Sequence, residues 1–405
     1  MKIIDGGVCA ANGFLAGGVH AGLRKNKSKR DLAFIGSGVI CNAAGVFTRN
    51  RVKAAPVLLD IEKIKLGKAR CIVVNSGNAN ACAPNDMENA RRMSASAAKA
   101  LGVDESLVLI GSTGVIGQEL PVSKIEDAMQ LLIDTVSTDA SELAAEGIMT
   151  TDTMKKEIAA QFECGGVTCK LGGIAKGSGM IHPNMGTMLC YITTDCAISS
   201  EMLQTALSAV TERTFNRVTV DGDTSTNDTC LVLANGMAGG AEITSEGEDY
   251  AKFYAALHTV MEYLSREVAR DGEGATHLMT CTVSGATDEK TAETLAKSVV
   301  GSSLVKAMIF GADANFGRVL CAMGYSGIDF DPNTVDISFR SAAGEIIVAK
   351  SGTGLEFDED TAKKVLTEEE VEILVTMAGG TAAPVSCWGC DLTYDYVKIN
   401  GDYRS

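Results

Sequence analysis

The sequence predicts an α/β or α+β fold with sheet on both sides of its middle, and three observations carry that prediction. Short apolar runs of β type alternate with helix-favouring stretches along all 405 residues. Hydrophobic residues make up 46% and charged residues 21%, which supplies a large core and excludes global disorder. Glycine stands at 43 against 6 prolines, giving tight turns and close backbone approaches without a Pro-rich linker. No segment cleanly divides the chain, whose length suits about two or three domains or one composite domain.

Taken in order, CIVV at 71–74 and LVLI at 107–110 read as buried strands stopped by the polar turns NSGNAN and GSTG. The Ala-rich stretch 87–101 favours a helix. Ser123 and Glu126 form a capping-box pattern, opening a helix that carries Ile125, Met129, Leu132 and Ile133. MLCYIT at 188–193 is a strand, and 201–215 is a helix with Leu203, Leu207, Val210 and Phe215 near one face. Strands at 217–220 and 230–234 bracket the polar loop DGDTSTNDT. The clearest helix is 249–270, with Phe253, Leu257, Val260, Met261 and Leu264 at i, i+3, i+4 spacing, and 288–300 repeats that pattern. Strands follow at 277–283, 335–339 and 345–348, and the acidic stretch 358–374 is expected to be helical. GGTAAP at 379–384 then breaks the chain before a polar, aromatic C-terminus.

The formal net charge of −15 argues against non-specific binding to nucleic acid or anionic lipid, both of which need a basic footprint. Thirteen scattered cysteines show no disulfide framework and suit reduced, mostly buried thiols in a cytoplasmic protein. The N-terminus lacks the apolar run of a signal peptide, and no stretch approaches the ~20 apolar residues of a membrane span.

Several site patterns fail on inspection. Cys387 and Cys390 have CxxC spacing but no second Cys/His pair, so two packed thiols are the default over a thiol or metal-binding module. Asp221-x-Asp223-x-Ser225 resembles a calcium loop, yet Thr226 stands where Gly is needed and Val232 where Glu is needed. A loop held by its own Asx-type hydrogen bonds explains it better, and no metal site is expected. GSTGVIG lacks phosphate-loop spacing, and Gly272-Glu-Gly274 follows a helix where a dinucleotide fingerprint follows a strand. Of the four histidines, His258 reads as a helix-surface residue and His182 as a turn residue.

The unusual region is the centre. Lys176 sits among glycines, and a Gly186-Thr187 junction opens the strand that follows. Two readings stay open. One is a Gly-rich loop entering a strand. The other is a self-cleaving junction, in which the Thr187 hydroxyl attacks the preceding carbonyl and cleavage frees an α-amine on the same residue. An α-amine with a pKa of roughly 7.7–8 is a competent general base at neutral pH.

At this junction KGSGMIHPNMGTML (176–189) resembles the self-processing signature of the ornithine acetyltransferases of arginine biosynthesis, also called glutamate N-acetyltransferases. The resemblance extends over nearly the whole chain in the expected order. FTRNRVKAAPV (47–57), NSGNANAC (75–82), GSTGVIG (111–117) and IMTTDT (148–153) precede the junction. FNRVTVDGDTSTND (215–228), ARDGEGATH (269–277), GADANFGR (311–318) and WGCDLTYDYVKINGDYRS (388–405) follow it.

The resemblance implies a fold of layered sheets packed between helices, with a smaller C-terminal α/β portion. It implies cleavage between Gly186 and Thr187 into an α chain 1–186 and a β chain 187–405, assembled as an α2β2 heterotetramer. Thr187 then carries the acetyl group from N2-acetylornithine to L-glutamate in a ping-pong reaction. Thr113 and Gly114 match the oxyanion positions. Thr150, Lys176, Thr187, Glu273, Asn400 and Ser405 match the substrate-binding positions. A buried Lys176 suits a substrate carboxylate, and Glu273 suits the ornithine side-chain ammonium. On residue type alone, Thr113 and Gly114 read as a strand-end turn, Glu273 as a helix-end surface acid, and Asn400 and Ser405 as a frayed tail. Gly186 stands where the family usually has alanine, and Ser405 where it usually has threonine.

No bound cofactor is expected. Acetyl-CoA is a candidate second donor, although no segment forms a recognisable CoA site. The alternative reading is an aminopeptidase or amidohydrolase with the same N-terminal nucleophile and water as acceptor.

Overall fold

Burial of both faces of the central strands settles the architecture. The computed structural model describes residues 1–182 and 188–401. In chain order its strands begin with β1 (Lys2–Ile4), β2 (Phe14–Val19), β3 (Leu32–Phe47), β4 (Lys68–Asn78) and β5 (Val108–Val115). Next come β6 (Lys156–Cys164), β7 (Val167–Lys176), β8 (Leu189–Thr194), β9 (Val218–Thr219) and β10 (Thr229–Ala234). The last are β11 (Leu278–Ser284), β12 (Asp336–Ser341), β13 (Gly344–Lys350), β14 (Thr353–Gly354), β15 (Glu370–Thr376) and β16 (Val385–Cys390). The helices are α1 (Ala55–Lys63), α2 (Asp86–Leu101), α3 (Val122–Asp134), α4 (Ser141–Ile148), α5 (Ser200–Arg213) and α6 (Glu248–Arg270). They continue with α7 (Glu289–Gly301), α8 (Ser303–Phe310), α9 (Phe316–Gly324), α10 (Glu359–Leu366) and α11 (Tyr394–Asn400).

The larger sheet runs β1-β6-β7-β8-β10-β3-β4-β5, with β2 also on β3. At its centre β8 and β10 pair in parallel, flanked by antiparallel β7 and β3. Both central strands come from sequence after residue 187, while all the others come from before it. Successive side chains of a strand point to opposite faces. Cys190 and Ile192 of β8 accordingly enter the core beneath α5 and α6, while Leu189 and Tyr191 enter the core on the other face. Helix α6 buries Phe253, Leu257, Val260, Met261 and Leu264, each worth ~1.5–3 kcal/mol. It packs against β6 and β7 of this sheet and against β11 and β16 of the next, and so joins the two.

The smaller sheet runs β14-β13-β12-β15-β11-β16-β9, and α7 and α10 pack against it over a separate core. The expected layered α/β fold with a smaller C-terminal portion is therefore present.

Several local expectations need correction. The NSGN and GSTG segments do not stop their strands; β4 and β5 stay paired through Ser76↔Thr113 and Gly77↔Gly114. Ser123 is no N-cap, because α3 already begins at Val122 and Pro121 precedes it without a side-chain cap. The stretch expected to be helical at 358–374 splits into α10 and strand β15, whose Val371, Ile373 and Val375 are buried between β11 and β12. Gly172, Gly173 and Lys176 belong to β7 and not to a loop, and the expected strand at 217–220 shortens to two residues.

All thirteen thiols are free and ten are buried. Cys387 and Cys390 lie in β16 as packed thiols, and burial pushes the Cys387 thiol up to about 12. Among the described residues no helix is long and apolar enough to cross a membrane.

Gly172 shows why glycine occurs inside strand β7. A Cβ there would lie 1.8 Å from the Gly7 carbonyl oxygen. Gly172→Ala is expected to lower stability by about 1–3 kcal/mol through overpacking. Urea denaturation measures it, and an unchanged midpoint would contradict the close approach.

Candidate active site

The ends of β5, β7 and β8 open onto a cavity of ≈ 120 Å³. Its walls include Thr113, Gly114, Thr150, Lys176, Glu273 and Asn400, every described residue that the sequence marked as a site candidate. Gly186, Thr187 and Ser405 lie outside the described residues. Met188, the residue after Thr187, lies in the cavity wall beside Leu189.

Thr113 and Gly114 stand near the end of β5, where the ladder with β4 becomes irregular at Gly77 and Asn78. Gly114 has φ +134°, which side-chain-bearing residues rarely adopt, and a Cβ on it would lie 2.3 Å from the Gly77 carbonyl carbon. This position admits only glycine, and Gly114 itself is half-buried in the cavity wall. The polar loop between β9 and β10 also lines the cavity, through Ser225, Asn227 and Asp228. There Asn227 donates to the carbonyls of Ala79 (2.7 Å) and Ser112 (2.8 Å). Thr48 and Asn50 donate to the carbonyls of Ser225 and Thr224 at 2.8 and 2.9 Å.

Beneath the cavity lies a buried charge cluster. The Lys156 ammonium, fully buried, reaches Asp152 at 2.8 Å and Asp271 at 2.5 Å. Asp152 also lies 3.8 Å from the Lys176 ammonium and accepts from the backbone N–H of Thr150 (2.9 Å) and Gly177 (2.7 Å). Burial alone would raise the Asp152 pKa, but Lys156 and Lys176 outweigh it and hold the carboxyl well below the ordinary range. Burial also lowers the Lys176 pKa. Asp152 opposes that change, and the like charge of Lys156 adds to it. The cluster thus fixes Thr150 and Lys176 through one carboxylate.

Glu273 is buried, contrary to a helix-end surface acid. Its carboxylate lies against Gly179, where a Cβ would come within 2.2 Å of Oε2. Its backbone N–H donates to the Ser178 carbonyl at 3.0 Å, and the Ser178 hydroxyl donates to the Asp271 carbonyl at 2.6 Å. Asn400 is no frayed tail. Its Nδ2 donates to Glu273 at 2.7 Å, and α11 is anchored by Thr393 on the Gly274 carbonyl (2.6 Å) and by Tyr396 on Asp221 (3.3 Å). Asp221 further accepts from the backbone N–H of Met180 and Ile181 at 2.6 and 2.9 Å. Asp223 N–H also bonds Asp221 at 3.2 Å, as expected for an Asx-type loop.

Sequence reading missed Asp152, Lys156, Asp271 and Asn227. The first, third and fourth lie inside the quoted motifs, but nothing in their spacing shows that they meet. His182 is half-buried, with Nδ1 3.0 Å from the Thr219 hydroxyl. Burial, reinforced by Lys297, brings its pKa down to about 4. Among the described residues no group of three or more His, Cys, Asp or Glu could hold a metal ion.

The ArgJ family model matches residues 15–405. The arginine biosynthesis bifunctional protein ArgJ of Caldanaerobacter subterraneus subsp. tengcongensis is 48% identical over 406 residues, covering 100% of both chains. The protein of the same name from Symbiobacterium thermophilum is 48% identical over 407 residues, again covering 100% of both. A crystal structure of arginine biosynthesis bifunctional protein argJ from Bacillus halodurans is 47% identical, covers 52% of this chain and 96% of that one, and has a TM-score of 0.49.

Removing Lys156 leaves two buried carboxylates without their cation. Lys156→Met is expected to cost about 3–5 kcal/mol of unfolding free energy in urea titrations. A loss below about 1 kcal/mol would mean that the cluster does not hold the site together.

Proposed function

This chain belongs to the ArgJ family, and from that premise and the cavity we propose how it works. It is an acetyltransferase of arginine biosynthesis, passing acetyl from N2-acetylornithine to glutamate. The observation that carries the mechanism is the gathering of Thr113, Gly114, Thr150, Lys176, Glu273 and Asn400 around one cavity whose wall includes Met188.

The chain cuts itself between Gly186 and Thr187, which frees the Thr187 α-amine. That amine takes the proton of the Thr187 hydroxyl as the oxygen attacks the acetyl carbonyl. The Thr113 hydroxyl and the Gly114 N–H receive the developing oxyanion. The C–N bond of acetylornithine then breaks, the α-amine returns its proton to the leaving nitrogen, and ornithine departs. The neutral amine of glutamate attacks the acetyl-threonine ester in turn; the acyl C–O bond breaks as the C–N bond forms, and the amine's proton passes through the Thr187 α-amine to the threonine oxygen, giving N-acetylglutamate and restoring the hydroxyl.

Lys176 binds the α-carboxylate common to both amino acids, and Glu273 receives the side-chain ammonium of ornithine. Thr150, Asn400 and Ser405 add neutral hydrogen bonds. Acetyl-CoA serves as a second donor, in keeping with the word bifunctional in the relatives' names. An α2β2 assembly of the two cleaved chains and a cytoplasmic location complete the proposal.

Thr187→Ala is expected to leave a single band on a denaturing gel and to abolish acetyl transfer. An uncut variant with full activity would overturn the mechanism. The pH profile tests the rest. On the acid side kcat/KM falls as the α-amine is protonated, below roughly pH 7.7–8. On the alkaline side it falls as Lys176 loses its proton, and burial starts that loss below the ordinary lysine value of about 10.4. Arginine stays charged throughout, so Lys176→Arg is expected to lose the alkaline limb while keeping the acid one. An identical alkaline limb in the variant would remove Lys176 from carboxylate binding.

A further inference from the structure

A second cavity, of ≈ 260 Å³, shares Thr150 and Thr151 with the active-site cavity. Its other walls are Arg24, Lys25, Asn26, Lys29 and Gly77. The segment RKNKSKR at 24–30 carries five cations in seven residues, in a chain whose net charge is −15. Among the described residues Lys25, Lys27 and Lys29 form no ion pair, and all three are exposed. A solvated loop would explain such a run if it lay anywhere on the surface. Its position argues otherwise.

The loop is fixed at its base and directed at the site. Asp31, fully buried, accepts from the backbone N–H of Ala21 (2.5 Å) and Arg24 (2.9 Å). The Arg24 guanidinium donates to the Met149 carbonyl, next to Thr150. Gly77 lies between Arg24 and the oxyanion turn. A Cβ on Gly77 would meet Arg24 Cγ at 3.1 Å, and Gly114 packs on the other side of the same residue. Arg24 and the oxyanion turn thus both pack on Gly77, and Thr150 and Thr151 are common to the two cavities.

We propose that this basic cavity binds the phosphates of a nucleotide acyl carrier, the coenzyme A portion of acetyl-CoA. The inference rests on the reading of acetyl-CoA as second donor. Neither acetylornithine nor glutamate carries phosphates for Lys25 and Lys29 to bind, whereas a phosphorylated thioester does. The Thr187 oxygen attacks the thioester carbonyl, the C–S bond breaks as the C–O ester forms, and the hydroxyl proton passes through the α-amine to the leaving sulfur, releasing the free thiol.

The test compares the self-processed wild type with K25E/K29E, measuring KM for acetyl-CoA and for N2-acetylornithine with glutamate as acceptor, and coenzyme A binding by calorimetry. The expected result is at least a tenfold rise in KM for acetyl-CoA, with KM for acetylornithine within twofold. Adenosine 3′,5′-bisphosphate should compete with acetyl-CoA in the wild type, and added salt should raise the wild-type KM for acetyl-CoA more than the variant's. If the wild type uses acetyl-CoA and the variant's KM is unchanged, the cavity is not the site and the second-donor reading stands. An equal rise for both donors also overturns the site, because the effect is then general. If the wild type neither uses acetyl-CoA nor binds coenzyme A, the second-donor reading falls and this proposal with it.

Discussion

The ladder that seats β8 between β7 and β10 governs the rest of the molecule. Its register places Lys176, the last residue of β7, opposite Leu189, the first of β8. The chain between them must leave and re-enter the sheet at the same level, at the mouth of the cavity. That constraint brings the residue after Thr187 into the wall, next to the Leu189 that Lys176 faces. It also bonds the two sequence halves by backbone hydrogen bonds on both sides of β8 and β10. Those ladders tie the segment before residue 183 to the segment after residue 187.

The second constraint is electrostatic. Lys156, Asp152, Asp271 and Lys176 form an alternating buried cluster, and each charge is tolerable only because its neighbours are present. The same carboxylate that balances Lys156 also holds the Thr150 N–H and faces Lys176. A rigid base of this kind keeps a lysine side chain from swinging to solvent, while burial weakens its hold on its proton. Stability and site geometry are here one set of contacts.

Legibility in the sequence followed the range of the interactions. Helix α6 was readable because its five apolar positions repeat at helical spacing and face one core. Strand β15 was not readable, because its acidic flank continues the helical look of α10. Only the partners β11 and β12 bury its alternate residues. The supposed cap at Ser123 failed because α3 starts one residue earlier, after Pro121. Glu273 and Asn400 look like surface groups in the sequence, and a hydrogen bond across 127 positions makes them a pair. The basic run at 24–30 is plain in the sequence, yet nothing there shows that it sits beside Thr150.

The sequence by itself determined the helix faces, the unpaired thiols and, through its ordered motifs, the family and the residues worth testing. These depend on residue type and local spacing, which a linear chain displays directly. The tertiary structure alone decided that Thr113, Lys176, Glu273 and Asn400 share one cavity, that Lys156 and Asp271 support it, and that a basic cavity adjoins it. Those relations follow from strand order and from burial of charge between segments far apart in the chain, and no local pattern encodes them.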